Sequence, residues 1–189
     1  AVDILKGTSG IQSGTSAPGG MVNYRVKRPT ESALSDVRLE WSSRSTVLAA
    51  ADISHRAGTS GEFGWRVNVA AEDLKPTTRA LDGRRELAAL ATEWRIQPGS
   101  TLDAELEWSH QSQPAQQAFS LLGNTLPRVV DPRINLNNQP WSLPTEFDGL
   151  TGSLRWRQEL NADWRLTVQM GQQRLRTDDR IAFAFGKFG

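Results

Sequence analysis

The chain has 189 residues, with 22 Lys and Arg against 21 Asp and Glu, and it has no cysteine. A net charge of +1 argues against a nucleic-acid-binding surface, and the absence of cysteine excludes a disulfide framework and a thiolate metal site. No apolar run approaches the roughly 20 residues of a membrane-spanning helix, and residues 1–3 do not read as the start of a secretory signal peptide.

The first segment in chain order, residues 2–30, is rich in glycine and small polar residues. Its spacing does not make a phosphate-binding loop, because Gly20 stands where that loop needs its lysine. It does not make a nucleophile elbow either, since no apolar helix follows it. Residues 21–28 instead alternate in polarity with a period of two, which predicts a strand. We therefore interpret the segment as short strands joined by glycine-rich turns.

An alternation of apolar and polar residues recurs through the rest of the chain and predicts seven strands. Each is about 9–12 residues long, which exceeds the roughly 5–6 residues common in soluble sheets and approaches the length of a tilted membrane strand. Every strand has one apolar and one polar face, because successive side chains point to opposite sides. The apolar positions fall within residues 37–41, 47–53, 63–69, 90–96, 102–108, 150–156 and 164–170.

The predicted connections alternate in length along the chain. Short turns are predicted at 57–62, 97–100 and 159–163, and long links at 73–85 and 114–148. Only the link between the first two strands breaks the rule by being short. Short turns at one end and long loops at the other are typical of an outer-membrane barrel. A soluble sandwich of two sheets is the alternative, since its strands alternate in the same way.

Aromatic residues and histidines bear on the same choice. Four tryptophans lie near the predicted short turns and in phase with the apolar face: Trp65, Trp94, Trp156 and Trp164. In a membrane barrel they would form an interfacial girdle, whereas in a sandwich they would be ordinary core residues. The two histidines, His55 and His110, lack the spacing of metal ligands, so we interpret both as solvated or interfacial.

The long link 114–148 contains five prolines and no sustained period. A loop of this length is usually functional or disordered. It contains Arg128, Arg133 and Trp141, which suit an anionic and partly aromatic ligand; a loop packed only on itself is the alternative. No Ser/His/Asp arrangement and no pair of catalytic carboxylates is found in the sequence, so no enzymatic activity is expected.

Several blocks of the sequence resemble TonB-dependent outer-membrane receptors of the ferric-siderophore type. In that family the end of the plug domain combines an Arg-Gly-Pro, a glycine-rich loop, a Pro-Gly-Gly-x-Ile/Val-Asn motif and a closing Lys-Arg-Pro. The matching blocks here are Lys6-Gly7-Thr8, Gly14, Pro18-Gly19-Gly20, Val22-Asn23 and Lys27-Arg28-Pro29. The segment 137–160 is similar to the third long loop and the strand after it. The sequence departs from the family at Ser13, where an aromatic residue is common, and in having Tyr24 as its only tyrosine.

The resemblance implies an all-β fold: an antiparallel transmembrane β-barrel fragment of about seven strands, not closed, with the C-terminal part of the plug domain. Residues 1–33 would belong to the plug, and residues 34–189 would be the N-terminal strands of the barrel. Because such barrels have about 22 strands, the chain is expected to be an internal fragment that lacks the signal peptide and the TonB box. Five charged residues are expected to hydrate the lumen and to bond to the plug: Arg66, Glu93, Arg95, Glu105 and Arg155.

The resemblance further implies active import of a ferric siderophore across the bacterial outer membrane. The ligand would contact Gln12 and Ser13 at the plug apex and Arg128, Arg133 and Trp141 in the long loop. Iron would arrive inside its chelate, so neither a cofactor nor protein metal ligands are expected. The expected partners are the siderophore, TonB and outer-membrane lipid, and not nucleic acid. The alternatives are a related receptor for haem, cobalamin or a glycan, and a soluble carbohydrate-binding β-sandwich or propeller.

Overall fold

The computed structural model describes residues 2–7, 19–24, 26–42, 45–115, 131–135 and 143–179. Within these ranges the chain forms two antiparallel sheets, one of two strands and one of seven. No helix in the same ranges has the length and apolar character needed to cross a membrane. The predicted all-β fold with an open antiparallel sheet of seven strands is confirmed.

The small sheet pairs β1 (Val2–Lys6) with β2 (Gly20–Tyr24), with Lys6 opposite Gly20. Gly20 has a φ of 122°, and a Cβ there would lie 2.3 Å from the carbonyl oxygen of Leu5, so the position requires glycine. The strand predicted over 21–28 ends earlier than expected, since residues 26–30 form no strand. In residues 26–30 the backbone does not pair with a neighbouring strand, and side chains such as those of Lys27 and Arg28 bond to the large sheet instead.

The large sheet is a simple meander in which each strand pairs with the next one along the chain. Its strands are β3 (Leu34–Trp41), β4 (Val47–Ala57), β5 (Phe63–Leu74), β6 (Gly83–Gln97), β7 (Ser100–Gln113), β8 (Thr145–Glu159) and β9 (Arg165–Asp178). Strands β6 and β8 each have 15 residues, longer than predicted. Backbone pairing continues beyond the apolar residues into charged strand ends. Polarity no longer alternates there, so the sequence does not predict that the strand continues. In the described part of the chain, β3 and β9 are the open edges.

The connections at the two ends of this sheet differ in length, as predicted. One end has the links 58–62, 98–99 and 160–164, which are short. The other end has the longer links 75–82 and 114–144, together with 42–46, which is the short exception expected from the sequence. The long link predicted over 73–85 is shorter than expected, because β5 runs to Leu74 and β6 begins at Gly83.

The apolar face of the sheet is uncovered. Leu106 is 52% exposed and Met170 is 63% exposed, although both lie well inside their strands. In the described residues the buried hydrophobic side chains are only Leu81 and Ala91, whereas the polar side chain of Asp103 is fully buried. A soluble sandwich would cover this face with a second sheet. An apolar outer surface beside a polar inner one is instead the pattern of a membrane barrel wall.

The tryptophans near the short connections lie on this outer face. Trp94, Trp156 and Trp164 are all exposed and Trp65 is half-buried, so none of the four is a core tryptophan. Trp156 donates from Nε1 to Oγ of Ser100 at 3.2 Å, which gives the ring a polar anchor at the end of the apolar band. An exposed ring with one hydrogen-bonded edge suits the boundary between lipid and water.

Candidate functional site

Residues 27–31, here called the linker segment, join the small sheet to the large one and lie on its charged inner face. The amide of Thr30 donates to Oγ of Ser54 at 2.9 Å. The carbonyl of Arg28 accepts from Nη1 of Arg66 at 2.9 Å. Ser54 is fully buried and donates to the carbonyl of Trp65, at 3.1 Å. The segment is thus fixed by its backbone as well as by its side chains.

Lys27 forms the first ionic contact of the segment. Its Nζ lies 2.8 Å from Oδ2 of Asp52 and 3.1 Å from Oδ1 of Asn68. Asp52 also accepts two hydrogen bonds from Arg66, at 2.8 and 2.7 Å. One carboxylate on β4 therefore holds a cation of the segment and a cation of β5 together.

Arg28 forms the second contact, with two carboxylates of β7. Its Nη2 lies 2.5 Å from Oε1 of Glu105, and its Nη1 lies 3.3 Å from Oδ1 of Asp103. Asp103 is buried, and Nη2 of Arg157 approaches it to 3.0 Å. A buried carboxylate needs such partners, because removal of a charge from water is costly unless the charge is paired.

Glu31 forms the third contact, at the end of the segment. It pairs with Arg95 and lies 3.3 Å from Nη2 of Arg56, which is also 2.7 Å from Oε1 of Glu93. The hydrogen bond from Arg95 lowers the pKa of the Glu31 carboxyl. The segment thus presents two cations and one anion to opposite charges on the sheet, and the complementarity fixes its direction along the face.

A glycine on β5 makes room for the segment. A Cβ at Gly64 would lie 2.8 Å from Cβ of Pro29 and 2.9 Å from Nη1 of Arg56. Pro29 is buried at this point. The close approach of the two chains therefore depends on the missing side chain of Gly64.

The five predicted inner-face charges differ in their contacts with the linker segment. Arg66, Arg95 and Glu105 contact the linker segment directly. Glu93 acts through Arg56 and Arg95, and Arg155 bonds to Oε1 of Gln169 at 2.9 Å and not to the segment. Sequence reasoning missed three further participants, Asp52, Arg56 and Asp103. The signal that could have identified the two carboxylates is the adjacent pair of cations, Lys27 and Arg28, which calls for carboxylates opposite.

The predicted ligand residues are not brought together by the described part of the structure. Gln12, Ser13, Arg128 and Trp141 lie outside the described residues. Arg133 is described and exposed, and its Nε lies 3.0 Å from both carboxylate oxygens of Asp131. This contact lowers the pKa of Asp131 to about 2 and raises the pKa of Arg133.

The loops at the long-connection end contact each other. The amide of Arg79 donates to the carbonyl of Arg133 at 2.9 Å, and Oγ1 of Thr78 donates to the carbonyl of Pro132 at 3.3 Å. The backbone around residues 131–135 is therefore held against the link 75–82. Arg133 consequently has a fixed position at this end of the sheet.

No cluster of three or more potential metal-ligating side chains occurs in the ranges that the structure describes. The shortest histidine contact there joins Nδ1 of His110 to Oδ1 of Asp148, at 2.7 Å. His110 also stacks on Trp108, with ring centroids 6.4 Å apart. These residues lie on the outer face, which fits the interpretation of His110 as interfacial.

Comparisons with known proteins bear on the origin of this arrangement. No protein-family model matches the chain. The chain is 27% identical over 167 residues to the metal-pseudopaline receptor CntO of Pseudomonas aeruginosa, covering 88% of this chain and 23% of the receptor. It is 26% identical over 180 residues to the ferrichrome receptor FcuA of Yersinia enterocolitica, covering 92% of this chain and 23% of that receptor. The chain thus spans about a quarter of the length of these relatives.

Solved structures show the same fold. The ferric preacinetobactin receptor BauA of Acinetobacter baumannii matches with a TM-score of 0.81 at 18% identity, over 93% of this chain and 26% of that one. The ferric-catecholate import receptor Fiu of Escherichia coli matches with a TM-score of 0.78 at 18% identity, over 93% and 28%. The resemblance to TonB-dependent outer-membrane receptors, drawn from the plug and barrel motifs of the sequence, is therefore confirmed by these relatives and by the shared fold.

Proposed function

We propose that the receptor containing this chain imports ferric siderophores across the outer membrane, with energy supplied through TonB. The observation that carries the proposal is the linker segment on the charged inner face, with Arg28 paired to Glu105 and Asp103. A barrel that only formed an open channel would need no such anchored segment. The arrangement instead suits a plug that fills the lumen and that can be rearranged while its end stays attached.

The two sheets suggest which residues belong to the plug and which to the barrel. We assign residues 1–33 to the plug and residues 34–189 to the barrel, a division supported by the separate two-stranded sheet and by the start of the large sheet at Leu34. The linker segment is then the hinge between a movable domain and a fixed wall. TonB would act on a part of the receptor outside this chain, and the ionic contacts of the segment would resist that pull.

The names of the relatives support the class of ligand. CntO is a receptor for metal-pseudopaline and FcuA a receptor for ferrichrome, and BauA is a ferric preacinetobactin receptor. Each name describes a metal carried by an organic chelator. We propose the same class here, with iron enclosed by its chelator, so that the protein contributes hydrogen bonds, cations and aromatic surface and no metal ligands.

Ligand contacts are proposed at the end of the sheet that has the long connections. Arg133 is held there by its bonds to Asp131 and to the link 75–82. We propose that Gln12, Ser13, Arg128 and Trp141 complete the site. An exposed guanidinium and an aromatic ring suit the outer surface of an anionic chelate.

Growth of an iron-starved bacterial strain tests the proposal. The strain lacks its own siderophore receptors, carries the full-length receptor, and is fed a panel of ferric siderophores, with haem and cobalamin as controls. We expect rescue by at least one ferric siderophore and none by an empty vector. Rescue by haem alone, or by none of the siderophores, would contradict the proposal.

A further inference from the structure

The contacts of the linker segment with the large sheet change in kind between Lys27 and Arg28. Lys27 reaches the sheet through Nζ, at the end of a flexible four-carbon stem. From Arg28 onward the backbone is bonded as well, because the carbonyl of Arg28 accepts a hydrogen bond from the sheet and the amide of Thr30 donates one to it. Backbone bonds fix the path of the chain, so the segment is held more firmly after Lys27 than at it.

Two carboxylates that the segment contacts have a second cation within the large sheet. Asp52 accepts two hydrogen bonds from Arg66, at 2.8 and 2.7 Å, in addition to the contact with Lys27. Asp103 likewise lies 3.0 Å from Nη2 of Arg157. When Lys27 leaves, Asp52 keeps its arginine and the ammonium group enters water. Neither charge is left buried and unpaired, so this contact opens at little cost.

Glu105 has no such second cation in its part of the sheet. Its side chain is 18% exposed and pairs with Nη2 of Arg28. The residues opposite it are Ala91 on β6 and Ser153 on β8, and the Ser153 hydroxyl donates to it at 3.3 Å. Both flanking strands are described, so the surroundings of Glu105 within the sheet are complete. Loss of Arg28 would leave this carboxylate with one neutral hydroxyl, which is costly for a largely buried charge.

The residues that follow Arg28 are seated against the sheet one after another. Pro29 fills the space that the missing side chain of Gly64 leaves. The amide of Thr30 covers Ser54, which is fully buried, and Glu31 pairs with an arginine of β6. The large sheet itself begins shortly afterwards, at Leu34. A force that arrives from the plug therefore meets the weak contact at Lys27 first and the strong contact at Arg28 next.

We propose that the hinge of the plug lies between Lys27 and Arg28, and that the ion pair of Arg28 with Glu105, here called the latch, stops the plug from peeling further off the sheet. During transport Lys27 leaves Asp52 and later returns to it, whereas residues 28–31 stay in place. The inference rests on the proposed TonB-dependent import. It places the moving boundary inside residues 1–33, ahead of the point where the large sheet begins.

Two single cysteines on the sheet report on the two sides of the hinge. Asn68→Cys lies at the contact of Lys27, and Ser54→Cys lies at the amide of Thr30. Each is placed in an otherwise cysteine-free full-length receptor, and cells that are importing a ferric siderophore are treated with a thiol reagent that enters the periplasm. The same cells without TonB give the resting rate. We expect TonB to speed labelling of Asn68→Cys about tenfold and to leave Ser54→Cys protected.

The two adjacent cations supply matched variants for the latch. Arg28→Gln should allow TonB to speed labelling of Ser54→Cys about tenfold, whereas Lys27→Gln should leave that cysteine protected. Glu105→Gln keeps the shape of the side chain and should act as Arg28→Gln does, so it carries the test if the arginine variant does not fold. Heat-modifiable migration checks that each barrel is intact. A general loss of stability would speed labelling with and without TonB alike, so dependence on TonB is the signature of the latch.

The outcomes distinguish this inference from the function on which it rests. If TonB exposes both cysteines in the receptor with its native linker segment, the whole segment leaves the sheet and the hinge is wrong. If iron is imported while neither cysteine responds to TonB, Lys27 does not detach and the inference is also wrong. Protection of Ser54→Cys in both latch variants, or faster labelling that does not depend on TonB, would exclude the latch. If the wild-type receptor imports no iron in cells with TonB, the proposed function itself fails.

Discussion

Arg28 of the linker segment places Nη2 2.5 Å from Oε1 of Glu105 on strand β7, a contact that joins residues far apart in the chain. The same guanidinium reaches Asp103, two residues earlier on that strand. Side chains two apart on a strand point to the same face, so one arginine can bridge both carboxylates. This geometry explains why the segment runs across the inner face and does not extend the edge of the sheet.

Replacement of Arg28 is expected to loosen the linker segment. Arg28→Ala leaves Glu105 without the only partner with which it forms an ion pair in the described residues, and it leaves Asp103 with Arg157 alone. We expect a cost of about 1–3 kcal/mol, the range for loss of one partner of a charged hydrogen bond. The Thr30 amide, bonded to Ser54, should then exchange with solvent deuterium about tenfold faster.

The control for this prediction is Arg38→Ala. Arg38 is exposed, and its ion-pair partner in the structure is Glu40, 3.6 Å away on the same strand. Its removal should leave exchange at Thr30 unchanged. Equal exchange in the Arg28 variant and the wild-type receptor would show that the ion pairs do not hold the segment.

A side chain at Gly64 is expected to displace the segment by steric overlap. A Cβ there would lie 2.8 Å from Cβ of Pro29, closer than real Cβ contacts allow. Gly64→Val should therefore increase protease cleavage within residues 26–33 of the full-length receptor. Gly152→Ala is the matched control, because the nearest atoms to its Cβ would be 3.7 Å away. The same cleavage rate in both variants would contradict the close packing.

Removal of Asp131 is expected to strengthen binding of an anionic chelate. Asp131 neutralises Arg133, and its pKa of about 2 keeps it ionised at neutral pH. Asp131→Asn should raise the affinity about two- to fivefold, as expected for an exposed charge pair, and Asp82→Asn in the neighbouring link should not. A lower affinity in the Asp131 variant would show that Arg133 needs this carboxylate for its position.

The sign of the pH dependence follows from the same pKa. Because the folded pKa of Asp131 lies below its ordinary value, the contact is fully present above that ordinary value and is lost as the pH falls through about 2. The affinity gain of Asp131→Asn should therefore be constant between about pH 5 and pH 8. A gain that disappears within this interval would assign the effect to another group.

The loop lengths predict that the short connections face the periplasm and that the long link 114–148 faces outward, and single cysteines test this orientation. The chain contains no cysteine, so introduced thiols add no background from this part of the receptor. We expect Arg79→Cys, in the link 75–82, to react on intact cells with a reagent that does not cross the membrane. Pro98→Cys, in the link 98–99, should react only after the outer membrane is permeabilised. The reverse pattern would invert the proposed orientation.

The faces of the large sheet could be predicted from the sequence because alternation of side chains is a local property. Leu106 and Glu105 are adjacent, and their opposite faces follow from that fact alone. The pairing of Arg28 with Glu105 and Asp103 could not be predicted, because no local pattern connects residues so far apart in sequence. The extension of β6 back to Gly83 was also missed, since backbone hydrogen bonds continue where apolar alternation has ended.

For the ligand site, the sequence predicted only the kinds of side chain that would contact the ligand. Arg128, Arg133 and Trp141 were chosen for charge and aromaticity, whereas Gln12 and Ser13 came from the resemblance. Arg133 proved to be paired with its neighbour Asp131. The inner-face apolar residues Leu48 and Leu87, which lie near Phe147, were missed, because the alternation predicts apolar side chains on the outer face only. Their common location emerges from the register of the strands, which the sequence does not specify.

Uptake of radioactive iron tests the central claim most directly. Cells expressing the full-length receptor, with or without a functional TonB, are given the ferric siderophore that best supports growth, and iron accumulation is measured over time. We predict uptake in the cells with TonB and only surface binding in the cells without it. Accumulation at the same rate without TonB, or no accumulation in either strain, would contradict the account.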